Sequence, residues 1–102
     1  MVREDIGGSS EYVEGQMRSA MANGRPLLVA RVDGKLYAMD AKCSHMGFDL
    51  CKGRLDGYLV SCKLHGAQFD IRNGERVRNL SAHSMISYPV VEEDGRAFVE
   101  LS

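Results

Sequence analysis

Five Asn-Gly or Asp-Gly dipeptides divide the sequence into short segments, and this feature restricts the fold more than any other. They are Asn23-Gly24, Asp33-Gly34, Asp56-Gly57, Asn73-Gly74 and Asp94-Gly95. Asparagine, aspartate and glycine tolerate the positive φ angles that two-residue hairpin turns require. The spacing of these dipeptides therefore predicts a chain built mainly from β-hairpins.

The segments between the turns have the composition of strands. Short apolar runs and alternating apolar residues predict strands over residues 27–32, 36–39, 58–60 and 68–71, and around Ile86, Tyr88, Val90, Ala97, Val99 and Leu101. Strands of this length at this spacing are typical of sandwiches and small barrels. We therefore predict an all-β fold, either an antiparallel β-sandwich or a partly open barrel.

Residues 7–22 are the part of the sequence whose secondary structure is least clearly indicated. Gly7-Gly8-Ser9-Ser10 has the composition of a loop. Met17, Ser19 and Met21 fit one face of a strand that ends at the first turn, but a short helix over residues 11–21 fits as well. Both alternatives stay open from the sequence alone.

Composition limits the classes of protein to which the chain can belong. Its 102 residues predict one domain over residues 1–102, and the net charge of −1 gives no reason to expect nucleic acid or a membrane as partner. The longest apolar run, residues 26–30, is far shorter than the run of about 20 that a membrane helix needs. The charged start shows no secretory signal, and three cysteines suit a reduced protein. We expect a cytoplasmic monomer.

Residue types that bind metals are concentrated in two short motifs. Cys43-Ser44-His45 is followed, after residues 46–61, by Cys62-Lys63-Leu64-His65, and each motif lies beside the end of a predicted strand. Two cysteines and two histidines suit a tetrahedral structural zinc, and they equally suit a 2Fe–2S cluster in which histidines replace two cysteines on one iron. The four residues alone do not distinguish these two sites.

The residues around the two motifs resemble the Rieske iron–sulfur family. The resemblance runs over residues 29–101 and is densest over residues 43–75. Its pattern is carried by Cys43, His45, Gly47, Leu50, Gly53, Leu55, Gly57, Cys62, His65, Gly66, Phe69, Asp70 and Gly74. The resemblance implies a Rieske-like fold with a small cluster-binding subdomain at about residues 41–71.

The resemblance also implies a ligand set and a function. Cys43 and Cys62 would hold the inner iron of one 2Fe–2S cluster, and His45 and His65 the outer iron. The chain would then carry single electrons from a ferredoxin reductase to an oxygenase or other terminal enzyme, without being an enzyme itself. Two alternatives remain, a small Rieske-like subunit of a larger oxidoreductase such as nitrite reductase, and a zinc-stabilised binding module.

Departures from the family pattern indicate where the reduction potential lies. Respiratory Rieske proteins carry an extra cysteine in each ligand loop, where this sequence has Phe48 and Leu64, and they donate hydroxyl groups to the cluster from the positions of Ala67 and Phe69. Such hydrogen bonds stabilise the reduced cluster. Their absence predicts a soluble ferredoxin near the low end of the Rieske range of roughly −150 to +300 mV.

Three further residues carry weaker expectations. The family motif passes over Cys51, so we expect it to be a half-buried apolar side chain rather than a ligand. We expect His83 to be a solvated loop residue. Lys42 and Lys63 flank the predicted ligands and could steer an acidic partner to this end of the molecule.

Overall fold

Antiparallel strands make up most of the computed structural model, which describes residues 2–42, 49–62, 67–78 and 84–101. Within these ranges the chain forms eleven strands and two single-turn 3-10 segments, Ser9–Glu11 and Leu50–Lys52. The strands are β1 (Val2–Gly8), β2 (Met17–Ala22), β3 (Arg25–Val32), β4 (Lys35–Asp40), β5 (Arg54–Asp56), β6 (Leu59–Ser61), β7 (Gln68–Asp70), β8 (Arg76–Arg78), β9 (Ser87–Tyr88), β10 (Val90–Glu93) and β11 (Arg96–Leu101). The prediction of an all-β fold is confirmed.

The strands form three open sheets and no closed barrel within the described residues. A three-stranded sheet has the order β1-β11-β10, a central sheet has the order β2-β3-β4-β9, and a short-strand sheet has the order β5-β6-β7-β8. Every pairing within these sheets is antiparallel. In the same part of the chain, no helix is long and apolar enough to cross a membrane.

Three of the five turn dipeptides form the two-residue hairpins that the sequence predicts, whereas Asn73-Gly74 lies in a longer connection between β7 and β8. Asn23 and Gly24 have φ angles of 51° and 75°, so both central residues of the β2–β3 turn are left-handed, as a type I′ hairpin requires. The β3–β4 and β10–β11 turns repeat this geometry. At the β5–β6 turn only Gly57 has a positive φ, because Asp56 still belongs to β5. The sequence therefore placed three of the two-residue turns correctly, whereas the β5–β6 turn is centred one residue later, on Gly57 and Tyr58.

The N-terminal region differs from the prediction of a loop. Gly7 and Gly8 end strand β1, which pairs with β11 at the other end of the chain. The Ser9 amide donates to the carbonyl of Gly95 at 2.8 Å, and the Gly8 amide donates to the Glu11 carboxylate at 3.0 Å. A partner strand that is remote in sequence thus organises residues whose local composition favours a loop.

Two other regions were only partly specified by the sequence. The strand alternative for Met17, Ser19 and Met21 is correct, because β2 covers them and no helix forms there. The alternation of Ile86, Tyr88 and Val90 does not belong to one strand. Pro89 lies between β9 and β10, which join different sheets.

The central sheet is buried on both faces, and β3 shows this most clearly. Leu28 and Ala30 belong to a first core, whereas Leu27 and Val29 belong to a second core. The first core contains Leu28, Ala30, Val32, Met39, Ala41, Leu50, Val60, Cys62, Ala67, Phe69, Ile71 and Met85. The second core contains Tyr12, Ala22, Leu27, Val29, Leu36, Ala38, Tyr88, Ala97, Val99 and Leu101. The central sheet therefore packs against the short-strand sheet on one face and the three-stranded sheet on the other.

Candidate metal centre

Of the four predicted ligands, the structure describes Cys62. This residue follows strand β6 and is 4% exposed, in the first core. Cys43, His45 and His65 lie in residues 43–48 and 63–66, outside the described residues, as do Gly47, Phe48, Lys63, Leu64 and Gly66. The described residues that flank these two segments define the geometry of the site.

The ends of the first segment, residues 43–48, are held side by side. Lys42 and Asp49 form an antiparallel bridge, and the Leu50 amide donates to the Ala41 carbonyl at 2.7 Å. The Asp49 carboxylate then accepts a hydrogen bond from the Cys51 amide at 2.9 Å, which caps the 3-10 turn Leu50–Lys52. The residues on either side of 43–48, Lys42 and Asp49, are therefore adjacent in the fold.

The second segment, residues 63–66, is closed in the same way. The Cys62 amide donates to the Ala67 carbonyl at 2.7 Å, directly beyond the Ser61–Gln68 pair of the β6–β7 ladder. The Gln68 side-chain amide donates to the Ser61 hydroxyl at 3.1 Å. Cys62 is thus fixed at the last backbone contact before the segment begins.

Gly53 brings the two segments together. A Cβ atom on Gly53 would lie 2.0 Å from the carbonyl oxygen of Ser61, a separation that no side chain tolerates. Gly53 closes the 3-10 turn after the first segment, and Ser61 immediately precedes Cys62. The absence of a side chain at Gly53 therefore allows the end of one segment to pack on the start of the other.

Gly74 anchors a third segment beside them. A Cβ atom on Gly74 would lie 2.1 Å from the Met85 carbonyl oxygen, and the Met85 amide donates to the Gly74 carbonyl at 2.6 Å. The Arg76 amide also donates to the Ser84 hydroxyl at 3.1 Å. Residues 79–83, which include His83, lie outside the described residues.

The residues that flank all three segments pack in one apolar core. Residues at their ends share the first core, namely Ala41, Leu50, Cys62, Ala67 and Met85, together with Phe69 beneath them. Ala67 and Phe69 are fully buried and carry no hydroxyl group that could donate to a sulfur. A metal group between these segments would have a water-excluding surface on one side.

Cys51 lies close to the site but has different chemistry from Cys62. It packs half-buried against the first core. Burial, reinforced by the negative charge of Asp49, raises the pKa of the Cys51 thiol to about 12. A thiol that stays protonated is a poor metal ligand, which agrees with the prediction that Cys51 is an apolar side chain.

The sequence analysis missed the contacts that assemble the site. Gly53 and Gly74 were recognised as part of a family pattern, but their close backbone approaches to Ser61 and Met85 were not predicted. A glycine in a loop is compatible with many roles, so no local signal reveals these contacts. Asp40, Arg25 and Tyr88, which form a polar network beside the first segment, were also missed.

Comparison with known proteins identifies the family of this site. The family described as the Rieske [2Fe-2S] domain matches residues 3–89. The chain belongs to the Rieske family. The chain therefore binds a Rieske-type 2Fe–2S cluster, and the alternative of a structural zinc is set aside. Two cysteines and two histidines are the residue types that hold such a cluster, and Cys62, the predicted ligand within the described residues, is buried.

The relatives of this Rieske protein are ferredoxins. It is 36% identical to the ferredoxin component of the p-cumate 2,3-dioxygenase system of Pseudomonas putida, over 91% of this chain and 80% of that protein. It is 30% identical to the ferredoxin component of the naphthalene 1,2-dioxygenase system of Pseudomonas putida, over 91% of this chain and 89% of the relative. The Rieske protein is therefore an electron carrier and not a catalytic subunit.

Solved structures agree in fold over the whole chain. The ferredoxin of Sphingomonas yanoikuyae B1 superimposes with a TM-score of 0.90 at 25% identity and covers 99% of this chain and 100% of that one. The ferredoxin of carbazole 1,9a-dioxygenase from Nocardioides aromaticivorans IC177 gives a TM-score of 0.93 at 21% identity, over 100% of each chain. A complex of reduced oxygenase and oxidised ferredoxin in carbazole 1,9a-dioxygenase contains a chain that matches with a TM-score of 0.89 at 25% identity, over 99% of this chain and 98% of that one.

Proposed function

We propose that this protein accepts single electrons from a ferredoxin reductase and delivers them to the terminal oxygenase of a dioxygenase system. One observation carries the proposal. The ends of three segments converge on a single apolar surface that contains buried Cys62, as a cluster carried between two partners requires. The names of the relatives, which are ferredoxin components of dioxygenase systems, support the same role.

The proposed ligands are Cys43 and Cys62 for one iron and His45 and His65 for the other. When bound, a 2Fe–2S cluster of this type supplies a reversible one-electron couple. Cys62 would bind as a thiolate from the buried end of β6, where the surrounding apolar side chains exclude water. The two thiolates balance the charge of the oxidised cluster core, so the apolar surface need not hold a net charge.

The absence of hydroxyl donors at Ala67 and Phe69 supports a low reduction potential. Both side chains are fully buried in the first core beside Cys62 and can donate no hydrogen bond. A cluster that lacks such donors is harder to reduce. A carrier of low potential is able to pass its electron on to an oxygenase.

We propose a single Rieske domain over residues 1–102, with the cluster-binding subdomain at about residues 41–71. Three strands of the short-strand sheet, β5, β6 and β7, lie within this range and support the division, while β8 extends the sheet beyond it. We further propose that the protein works as a monomer in the cytoplasm. An odd number of cysteines suits a reducing compartment.

The ligand assignment is tested with a matched pair of cysteine variants. Cys62→Ser is expected to abolish cluster incorporation, because a serine hydroxyl replaces the buried thiolate. Cys51→Ser is expected to leave the visible spectrum unchanged. Iron and acid-labile sulfide content per chain, with electron paramagnetic resonance of the reduced protein, provides the measurement. Bleaching by Cys51→Ser, or a normal spectrum in Cys62→Ser, would show that the ligand set is wrong.

The low potential is tested by voltammetry at pH 7. The midpoint is expected below 0 mV, in the lower part of the range of roughly −150 to +300 mV for Rieske clusters. Phe69→Tyr places a hydroxyl group in the first core and is expected to raise the midpoint, whereas Tyr37→Phe, at the edge of that core, should not change it. A wild-type midpoint well above zero would contradict the argument from Ala67 and Phe69.

A further inference from the structure

A groove opens beside the first segment, on the surface of the central sheet. Its volume is about 310 Å³, and its lining consists of Arg25, Pro26, Asp40, Lys42 and Ile86. The Asp40 amide donates to the Ile86 carbonyl at 3.0 Å, and the Ala41 amide donates to the Pro26 carbonyl at 3.2 Å. These backbone contacts hold the walls together, so the groove is part of the folded scaffold.

The groove carries a surplus of positive charge. The Asp40 carboxylate accepts a hydrogen bond from the Tyr88 hydroxyl at 2.7 Å, and the same hydroxyl accepts one from the Arg25 guanidinium at 2.5 Å. Asp40 is thus balanced by Arg25 through Tyr88. The ammonium group of Lys42 is exposed and forms no hydrogen bond or ion pair within the described part of the chain. Its charge is available to a partner.

An apolar side chain lies directly beside this charge. Ile86 is 58% exposed, although its neighbour Met85 is buried in the first core. An exposed aliphatic side chain among cations, together with Pro26 on the groove wall, is a combination that suits a protein partner rather than a small ion. The groove complements a segment that presents carboxylates next to an apolar side chain.

We propose that this groove is the docking site for an acidic segment of the acceptor oxygenase, which inserts an apolar side chain against Ile86 and places a carboxylate near Lys42. The inference rests on the proposed function, because it assumes that the acceptor is an oxygenase. Lys42 immediately precedes the proposed ligand Cys43, so a segment bound in the groove approaches the end of the molecule that carries the cluster. The net positive charge of the groove also accelerates association with an acidic partner.

The test compares two charge reversals near the two ends of β4, one at Lys35 on the strand and one at Lys42 just beyond it. Lys42→Glu changes the groove, whereas Lys35→Glu makes the same change at the opposite end of β4, where the side chain is also exposed. Ile86→Ser removes the apolar contact without changing charge. Each protein, loaded with its cluster and reduced, is mixed in a stopped-flow instrument with the oxidised terminal oxygenase of carbazole 1,9a-dioxygenase at low and high salt. Cluster content and midpoint potential are measured first, so that only association differs.

Lys42→Glu is expected to lower the second-order rate of electron transfer about tenfold at low salt, and the loss should shrink at high salt. Ile86→Ser should lower the rate severalfold at both salt concentrations, and Lys35→Glu should have little effect. Equal effects of Lys42→Glu and Lys35→Glu, or full activity of Ile86→Ser, would overturn the docking site alone. If the wild-type protein transferred no electrons to the oxygenase, the proposed function would fail and the docking site with it.

Discussion

The two halves of the molecule are stabilised in different ways. The three-stranded and central sheets consist mainly of strands of six to eight residues, whereas every strand of the short-strand sheet has three residues. Ion pairs in the first half join strands that are distant in sequence, such as Arg31 with Glu92 and Arg96 with Asp5. In the second half, the decisive contacts are backbone approaches at Gly53 and Gly74.

This difference follows from what each half does. In the three-stranded and central sheets, many ladder hydrogen bonds and a core on both faces of the central sheet stabilise the fold. The loss of one contact therefore leaves many others. The strands of the short-strand sheet have three residues each, so this sheet contains few ladder hydrogen bonds. Its geometry therefore depends on a small number of close contacts and on the bound cluster, since metal binding contributes directly to folding.

An aromatic contact joins the two halves. The rings of Tyr37 on β4 and Tyr58 in the β5–β6 turn meet edge to face, with centroids 5.9 Å apart and an interplanar angle of 87°. The Arg72 guanidinium lies 4.1 Å from the centre of the Tyr58 ring and pairs with Asp70 at 2.7 Å. These contacts hold the short-strand sheet at its end remote from Cys62.

The largest effect is expected for Gly53→Ala, in the half that depends on close contacts. The added Cβ would lie 2.0 Å from the Ser61 carbonyl oxygen, so the backbone before Cys62 must move. We expect cluster incorporation to be lost or greatly reduced, measured as iron and labile sulfide per chain.

Gly24→Ala is the matched control for this prediction. Gly24 has a φ of 75°, but no atom lies within 4 Å of the position that an added Cβ would occupy, so the substitution introduces conformational strain without a collision. It should cost about 1–2 kcal/mol and leave cluster content unchanged. Normal cluster content in Gly53→Ala would show that the two halves do not differ as described.

A smaller effect is expected for Arg31→Met in the half with long strands. The side chain of Arg31 is 16% exposed and donates to the carbonyls of Tyr12, Ser9 and Gly34 and to the Glu92 carboxylate, at 2.7–3.0 Å. Its loss removes these four hydrogen bonds and the ion pair, and should lower the free energy of unfolding by about 3 kcal/mol. Cluster content should remain normal.

Urea denaturation of the cluster-loaded protein measures this loss. Arg96→Met removes an ion pair with Asp5 in which both side chains are largely exposed, and it should cost much less stability than Arg31→Met. If both variants lost equal stability, Arg31 would contribute no more than an ordinary surface ion pair.

The smallest effect concerns the pH dependence of the Arg31–Glu92 contact. The Arg31 guanidinium, helped by the Ser9 hydroxyl, lowers the pKa of Glu92 below its ordinary value of 4.5. A carboxylate whose pKa is lower in the folded state stabilises the protein above the unfolded pKa, and this contribution is lost as the pH falls through the folded pKa. Glu92→Gln should therefore cost less than about 1 kcal/mol at pH 7 and progressively less below pH 4.5.

Melting temperatures of wild type and Glu92→Gln between pH 7 and pH 3.5 check this sign. The measured quantity is the difference between the two proteins, which should narrow as the solution becomes more acidic. A difference that stays constant or widens towards low pH would contradict the assignment of the lowered pKa to the Arg31 contact.

Local chemistry explains which parts of the fold were predictable. The turns at Asn23-Gly24, Asp33-Gly34 and Asp94-Gly95 are correct because positive φ is a property of the residues themselves. Strand β1 was not predictable, because its residues form a strand only when β11 is present beside them. The alternation of apolar residues around Pro89 predicted one strand, but the chain passes there from the central sheet to the three-stranded sheet.

The sequence by itself determined the hairpin architecture, the family and the metal-binding residue types, because these depend on residue identity and spacing along the chain. Only the tertiary structure decided that Gly53 packs on Ser61, that Gly74 packs on Met85, and that Lys42 and Ile86 share a groove. Gly53 and Ser61 lie eight residues apart at the open end of the β5–β6 hairpin, Gly74 and Met85 lie eleven apart, and Lys42 and Ile86 lie 44 apart. These approaches depend on strand register and on how the sheets pack, and neither leaves a periodic signal in a single sequence.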